Sequence, residues 1–358
     1  MERATVEIYD QRGLHWAATH AAAGRRADAE FFADRVGTGS LRLDVGCGAG
    51  RYLPYLGSPV VAFDASEAML GACRAAVPDA LYLQGDVEAL PFSRGSLGGA
   101  WSWMTHLHVP RHRLPMALWD LHRALRVGSP FDVQVLEGAY EGDDLPGDEV
   151  GGRFFAGWEP DRLVDVVVGA GFDVDKGSLT VSGDEVGLRA VRARTLADTV
   201  APGMRLLVCG VNPSWYSADA GVGYARPGNR FWAAALAAGI VTVDRDARSA
   251  LVDHGVGMTD FVKRPSRAAA EVTSEEYRAG FARVERLVAW LRPGAVCFTG
   301  LSGWRDVVNP KAVAGAQPDG IGGRPAYVMP STSGRNARTP LAELADHLRE
   351  AWLLGAGA

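Results

Sequence analysis

Two sets of residues in this chain of 358 have types and spacings that could do chemistry. In the C-terminal half, Asn212 stands in Gly210-Val211-Asn212-Pro213-Ser214, directly after the apolar run MRLLVCG. Pro213 removes a backbone donor and stops the strand. Asn212 is therefore on a turn at a strand's carboxyl end, where open α/β sheets hold ligands. A carboxamide oxygen cannot take up a proton at neutral pH, but it can hold a water in place. Tyr224, in YARPGNRFW, offers a ring on which a flat ligand can stack, and Asn229 can hydrogen-bond in a pocket or brace it. Amides near Val211 could stabilise developing negative charge. Ser331, Ser333, Gly334, Arg335 and Asn336 lie in a polar loop after the strand AYVMP, and could face phosphates and base edges.

The second set lies near the N-terminus. Asp44 ends the apolar stretch leading to Gly46-Cys47-Gly48-Ala49-Gly50, a strand–helix junction whose glycines let the backbone approach a ligand and leave helix amides for an anion. The spacing is not that of the dinucleotide motif GxGxxG. PVVAF runs into Asp64 and LYLQG into Asp86. A carboxylate ending the second strand suits a ribose diol, because it can accept from both hydroxyls.

The elements that must position these groups alternate. Strands are expected at 41–45, 59–63, 81–85, 131–138, 204–210, 295–300 and 326–330, and at the start of 257–266 before a basic loop, with helices at 14–37, 111–126, 157–172, 273–291 and 340–353. The pattern gives an α/β chain of two domains, each a mainly parallel sheet flanked by helices. The division is expected near TLADTVAPG: residues 1–198 carry a net charge of −9 and residues 199–358 one of +4, so only the second faces nucleic acid. His106 and His108 would share a face if WSWMTHLHVP is extended. Lys263, Arg264 and Arg267 form a basic group that is either a solvated face or a phosphate contact. The acidic, Gly-rich 139–152 reads as a mobile loop or lid. Phe231 and Trp232 read as core. Cys47, Cys73, Cys209 and Cys297 form no CxxC pair and read as buried free thiols; no metal site is expected. No run approaches a membrane span, and MERATVEIYD has no signal-peptide core, so a cytoplasmic protein is expected, with or without nucleoid association.

GVNPS, YARPGNRFW and MPSTSGRNAR, in this order, resemble the mismatch-specific uracil/thymine DNA glycosylases, although many members have Gly where Ser214 stands. LDVGCGAGRY, VVAFDAS and QGDVEALPF resemble the class I S-adenosylmethionine-dependent methyltransferases over about residues 38–195. The resemblances imply a Rossmann-like methyltransferase followed by a uracil-DNA-glycosylase-like α/β/α domain. They imply that Asn212 holds the water below the sugar, that Val211, Tyr224 and Asn229 line the base pocket, and that Ser331, Ser333, Gly334, Arg335 and Asn336 meet DNA. Arg335 would fill the vacated place in the duplex and contact the orphan guanine. Asp44, Gly46, Gly48, Gly50, Asp64 and Asp86 would hold S-adenosylmethionine, the one cofactor implied, and none is implied for the glycosylase domain. The substrate would be double-stranded DNA with a G·U or G·T mismatch, the base released being uracil, thymine or etheno-cytosine. With no catalytic Lys apparent, release should leave abasic sites without strand cleavage. No catalytic Asp or Glu stands in the Asn212 motif, so slow chemistry is expected. The methyl acceptor cannot be read. A second reading stays open: a methyltransferase recruited to nucleic acid by a glycosylase-like domain that binds without catalysis.

Overall fold

The computed structural model describes residues 1–19, 24–336 and 338–357. The chain forms two compact units: Met1–Val168 with Phe172–Ala193, and Gly169–Gly171 with Arg194–Ala358.

The first unit opens with α1 (Arg3–Thr19) and α2 (Arg26–Val36), then runs β1 (Arg42–Val45), β2 (Val60–Asp64), α3 (Glu67–Ala76), β3 (Leu81–Gln84), β4 (Gly99–Trp103), α4 (Leu114–Ala124) and β5 (Pro130–Leu136). A short ribbon pairs β6 (Glu141–Gly142) with β7 (Phe155–Ala156); α5 (Pro160–Gly169), β8 (Phe172–Ser182) and β9 (Glu185–Arg192) complete it. The seven-stranded sheet has the order β3-β2-β1-β4-β5-β9-β8. Its first five strands are parallel, and β9 is antiparallel to both neighbours. Every residue of β1 and β5 is buried, as a parallel strand covered on both faces requires. Phe32 and Val36 of α2 pack with Tyr52, Leu53 and Trp101.

The expected helix over 14–37 is corrected: helix begins at Arg3, and α1 and α2 are separate elements. The condition under which His106 and His108 would share a face is not met. The chain leaves β4 at Trp103 and enters a 3-10 turn at His106–His108, so the two imidazoles do not alternate along a strand.

The second unit contains β10 (Leu206–Gly210), α6 (Trp215–Ala220), α7 (Phe231–Ala238), α8 (Ala247–His254), β11 (Val256–Asp260), α9 (Ser274–Leu291), β12 (Ala295–Thr299), α10 (Leu301–Val307), β13 (Gly315–Ala316), β14 (Ala326–Met329) and α11 (Leu341–Leu354). Its sheet order is β11-β10-β12-β14-β13, parallel except at β13. Helices cover both faces. Phe231 and Trp232 of α7 and Leu344 and Leu348 of α11 bury against Val208, Cys297 and Tyr327. On the other face Phe298 stacks on Phe261 at 5.0 Å and meets Trp304 of α10 at 4.8 Å. Each such aromatic stabilises the fold by roughly 1.5–3 kcal/mol through burial. α9 starts on the expected capping box, with Thr273 and Glu276 satisfying each other's amides.

Candidate functional site

Parallel strands deliver their carboxyl ends to one edge, and three motif segments of the second unit lie there. The ladder between β10 and β11 continues beyond both strands. Phe261 N donates to Gly210 O at 2.9 Å, Val262 N to Val211 O at 3.0 Å and Ser266 N to Pro213 O at 3.1 Å. This registers the Asn212 turn against residues 261–266. The Asn212 amide nitrogen donates to Arg264 O and to Ser266 Oγ, each at 2.9 Å. Ser266 Oγ gives its own proton to Ala268 O at 2.7 Å and can only accept from Asn212. Nitrogen, not oxygen, must therefore face these two acceptors, and Oδ1 points away from both. Arg264 is itself held: its guanidinium donates to both carboxylate oxygens of Glu276, at 2.6 and 2.9 Å. Those bonds, with the Thr273 amide, lower the Glu276 pKa to about 2.

Tyr224 has a φ of 58°, in the left-handed region. That conformation lays its ring on Phe231, with centroids 4.1 Å apart and planes at 21°. Its hydroxyl lies 2.9 Å from Thr299 Oγ1 at the end of β12. Burial pushes the phenol pKa well above its usual value. Val211 and Tyr224 are both half-buried. Asn229 Oδ1 accepts from Phe231 N, the first residue of α7, at 3.0 Å.

The loop after β14 is tied to the same edge. Arg230 N donates to Thr332 O at 3.0 Å, and the Arg230 guanidinium holds Thr339 O and Asn336 O. Asn336 Nδ2 reaches Ser331 O at 2.8 Å and Thr339 Oγ1 at 3.1 Å. Ser331 Oγ accepts from Ser333 N at 3.3 Å, and Ser333 Oγ from Arg335 N at 3.4 Å. Asn336 thus knits the loop, while the hydroxyls of Ser331 and Ser333 accept backbone amides and donate to no acceptor among the described residues. A Cβ on Gly334 would sit 2.8 Å from Gly228 O, so this position needs glycine for a close approach between two loops. Arg335 is exposed and its guanidinium has no partner among the described residues. Ala337, inside the motif, lies outside the described residues.

The basic group expected at 263–267 is not a group. Lys263 Nζ is turned inward onto Asp198 and onto Leu196 O at 3.0 Å, Arg264 pairs with Glu276, and of these three cations Arg267 alone is exposed with no side-chain partner among the described residues.

In the first unit the glycine loop turns at the end of β1. Gly46, Gly48 and Gly50 have φ of 68°, 53° and 85°. A Cβ on Gly46 would lie 2.3 Å from the Thr105 side chain and one on Gly50 2.7 Å from Cys73 Sγ. Asp64 Oδ2 accepts from Gly48 N and Oδ1 from Ser66 N, both at 2.9 Å. Burial raises the Asp64 pKa against those bonds. Asp44 is buried beneath the loop, and burial, with Cys73 and Asp64 nearby, raises its pKa well above the carboxylate range. Asp86 is exposed just past β3 and accepts from Glu88 N at 3.0 Å. The cradle and the acid at the next strand's end fit a ligand bearing a charged group and a diol. His106 and His108 are buried, one against Ser102 Oγ at 2.6 Å and the other between Tyr9 Oη at 2.9 Å and Phe154 O at 2.7 Å. The four cysteines are free and buried.

Sequence reasoning missed Asp260, Ser266 and the carbonyl of Arg264. A signal for Asp260 existed: it ends β11 as Asp64 ends β2. The hold on Asn212 had none, because it depends on a residue 54 positions further along the chain folding back.

Residues 43–128 match the family model described as "Methyltransferase domain". Residues 197–353 match that of the "Uracil DNA glycosylase superfamily". Solved structures with similarity include an S-adenosylmethionine-dependent methyltransferase from Mesorhizobium loti, at 20% identity over 47% of this chain and 99% of that one, with a TM-score of 0.40. One from Aquifex aeolicus matches at 20% identity over 50% and 98%, with a TM-score of 0.39. A structure titled as the [4+2]-cyclase SpnF matches at 17% identity over 48% and 72%, with a TM-score of 0.40. Among the described residues no helix is long and apolar enough to cross a membrane.

Proposed function

We propose that this chain, which joins a methyltransferase domain to a domain of the uracil DNA glycosylase superfamily, is a bifunctional enzyme of DNA base excision. The second domain hydrolyses the N-glycosidic bond of uracil, thymine or etheno-cytosine opposite guanine. The first transfers a methyl group from S-adenosylmethionine to an acceptor of unassigned chemistry. The assignment takes 1–198 and 199–358 as the functional halves, the segment from Arg194 packing with the second unit.

One observation carries the glycosylase reading: both Asn212 amide hydrogens are engaged, so its oxygen is aimed and cannot flip. Such an oxygen holds a water below an extruded nucleotide without acting as a base. Because positive charge builds on the sugar as the bond breaks, little nucleophilic push is needed. Extrusion costs a few kcal/mol and less at a mismatch, a source of selectivity. Tyr224 lines the base pocket, Asn229 braces it, and Arg335 takes the vacated place opposite guanine. In the first domain the Gly46–Gly50 cradle would hold the cofactor's amino-acid end, Asp64 the ribose and Asp86 the adenine side, with Asp44 beneath. The bound cofactor supplies an electrophilic methyl group.

A labelled G·U duplex tests the reading. Abasic sites should form without strand cleavage, and Asn212→Ala should bind the duplex yet release no base. Tight binding with no release by the parent protein would instead make the domain a recruiter. Calorimetry with S-adenosylmethionine tests the first half.

A further inference from the structure

We propose that Asp260 is the acid that meets the departing base, donating its proton to the pyrimidine as the bond to the sugar breaks. This rests on the glycosylase reading of the second domain.

β11 carries Asp260 to the edge beside Gly210, its register partner. A Cβ on Gly210 would fall 2.3 Å from Asp260 Oδ1 and 3.1 Å from Tyr224 Oη, so carboxyl and phenol converge on one point that only glycine leaves open. The phenol is engaged with Thr299. Neither carboxyl oxygen of Asp260 has a hydrogen-bond partner among the described residues, although the residue is half-buried. The nearby cations serve another acid: Lys263 and Arg283 both hold Asp198, and Arg283 also donates to the Asp260 backbone oxygen at 2.8 Å.

The groups facing the carboxyl are Lys263 from the following loop, Asp198 from the segment before β10, Arg283 from α9, Tyr224 and Cys209. Burial is the strongest influence and lifts the carboxyl to about 6, against Lys263 and Arg283 and with Asp198. A base seated over it removes more water and lifts it further, so the acid form persists toward neutral pH. An unpaired acid tuned near the working pH, at a strand end, fits a proton donor better than a structural brace. In the step, the electron pair of the C–N bond leaves with the base, whose oxygen takes the Asp260 proton. A water oxygen bonds to the sugar carbon and releases its proton to solvent, from which the carboxylate is recharged.

Single-turnover base release from G·U duplex, between pH 5 and 9, tests this with the parent protein and Asp260→Asn. The same measurement on 5-fluorouracil and thymine opposite guanine varies the leaving group. The parent rate should fall as pH rises through an inflection at or above about 6, while the Asn variant is flat and about a hundredfold slower at low pH. The penalty should shrink for 5-fluorouracil, the better leaving group, and grow for thymine. An equal penalty on all three bases, or an inflection retained by the Asn variant, would overturn the assignment. A parent protein that releases no base from any duplex would overturn the glycosylase reading and this inference with it.

Discussion

Ser266 Oγ and the Asn212 amide nitrogen lie 2.9 Å apart across residues that the sequence separates by 54 positions. Ser266 is buried and its proton goes elsewhere, so it acts on Asn212 only as an acceptor. Ser266→Ala removes one of two anchors. Losing a hydrogen bond of about 1–1.5 kcal/mol should slow base release roughly tenfold with duplex affinity unchanged. Single-turnover rates beside binding isotherms separate the two; equal loss in both would mean Ser266 shapes the binding surface.

Arg335 is exposed and unpartnered among the described residues, so Arg335→Ala should leave the urea midpoint within experimental scatter. It should weaken binding to a G·U duplex by roughly tenfold, the range expected for losing an arginine–guanine contact. Equal weakening on a fully paired duplex would show a phosphate contact only.

Gly46→Ala should abolish S-adenosylmethionine binding, because its methyl would meet Thr105 at 2.3 Å and its φ is 68°. Gly48→Ala meets only Met69 Cε, at 3.7 Å, and carries a backbone cost of about 1 kcal/mol. Calorimetry should therefore find Gly48→Ala binding weakly and Gly46→Ala not at all.

Asp198 is buried between Arg283 and Lys263. Burial works against its charge, but the two cations outweigh it and hold its pKa below the usual value. A depressed folded pKa means stability present above about pH 4 and lost as pH falls below it. Asp198→Asn strands two cations and should cost about 3–5 kcal/mol in urea unfolding at pH 7, with a correspondingly weaker acid transition below pH 4.

His106 and His108 have their pKa lowered to about 4 by burial. The unfolded chain binds protons near 6.5, so stability is complete above that value and declines as pH falls from 6.5 toward 4. Thermal midpoints of the full chain across that window should drop, and a double His→Gln variant should flatten the slope.

Much of this was legible because it is local. Apolar runs ending in Gly, Asp or Pro marked the strands and their carboxyl ends, and the Thr273–Glu276 spacing marked the start of α9. What escaped depends on approach between distant segments. Lys263 reads as a surface cation beside Arg264, yet it turns inward because Asp198, some sixty residues earlier, needs neutralising. His108 would share a face with His106 if the segment were extended, but Tyr9 and Phe154 hold it in a turn. Asp260 comes beside Tyr224 only through the β10–β11 register.

Glu276 closes the first turn of α9 and grips Arg264, whose carbonyl in turn aims Asn212. Under the proposed function, this peripheral carboxylate is thus a lever on the hydrolytic step. On that reading, substitutions at a helix start on the periphery would retune turnover while leaving the side chains proposed to face the ligand intact, a route to altered speed without altered choice of substrate.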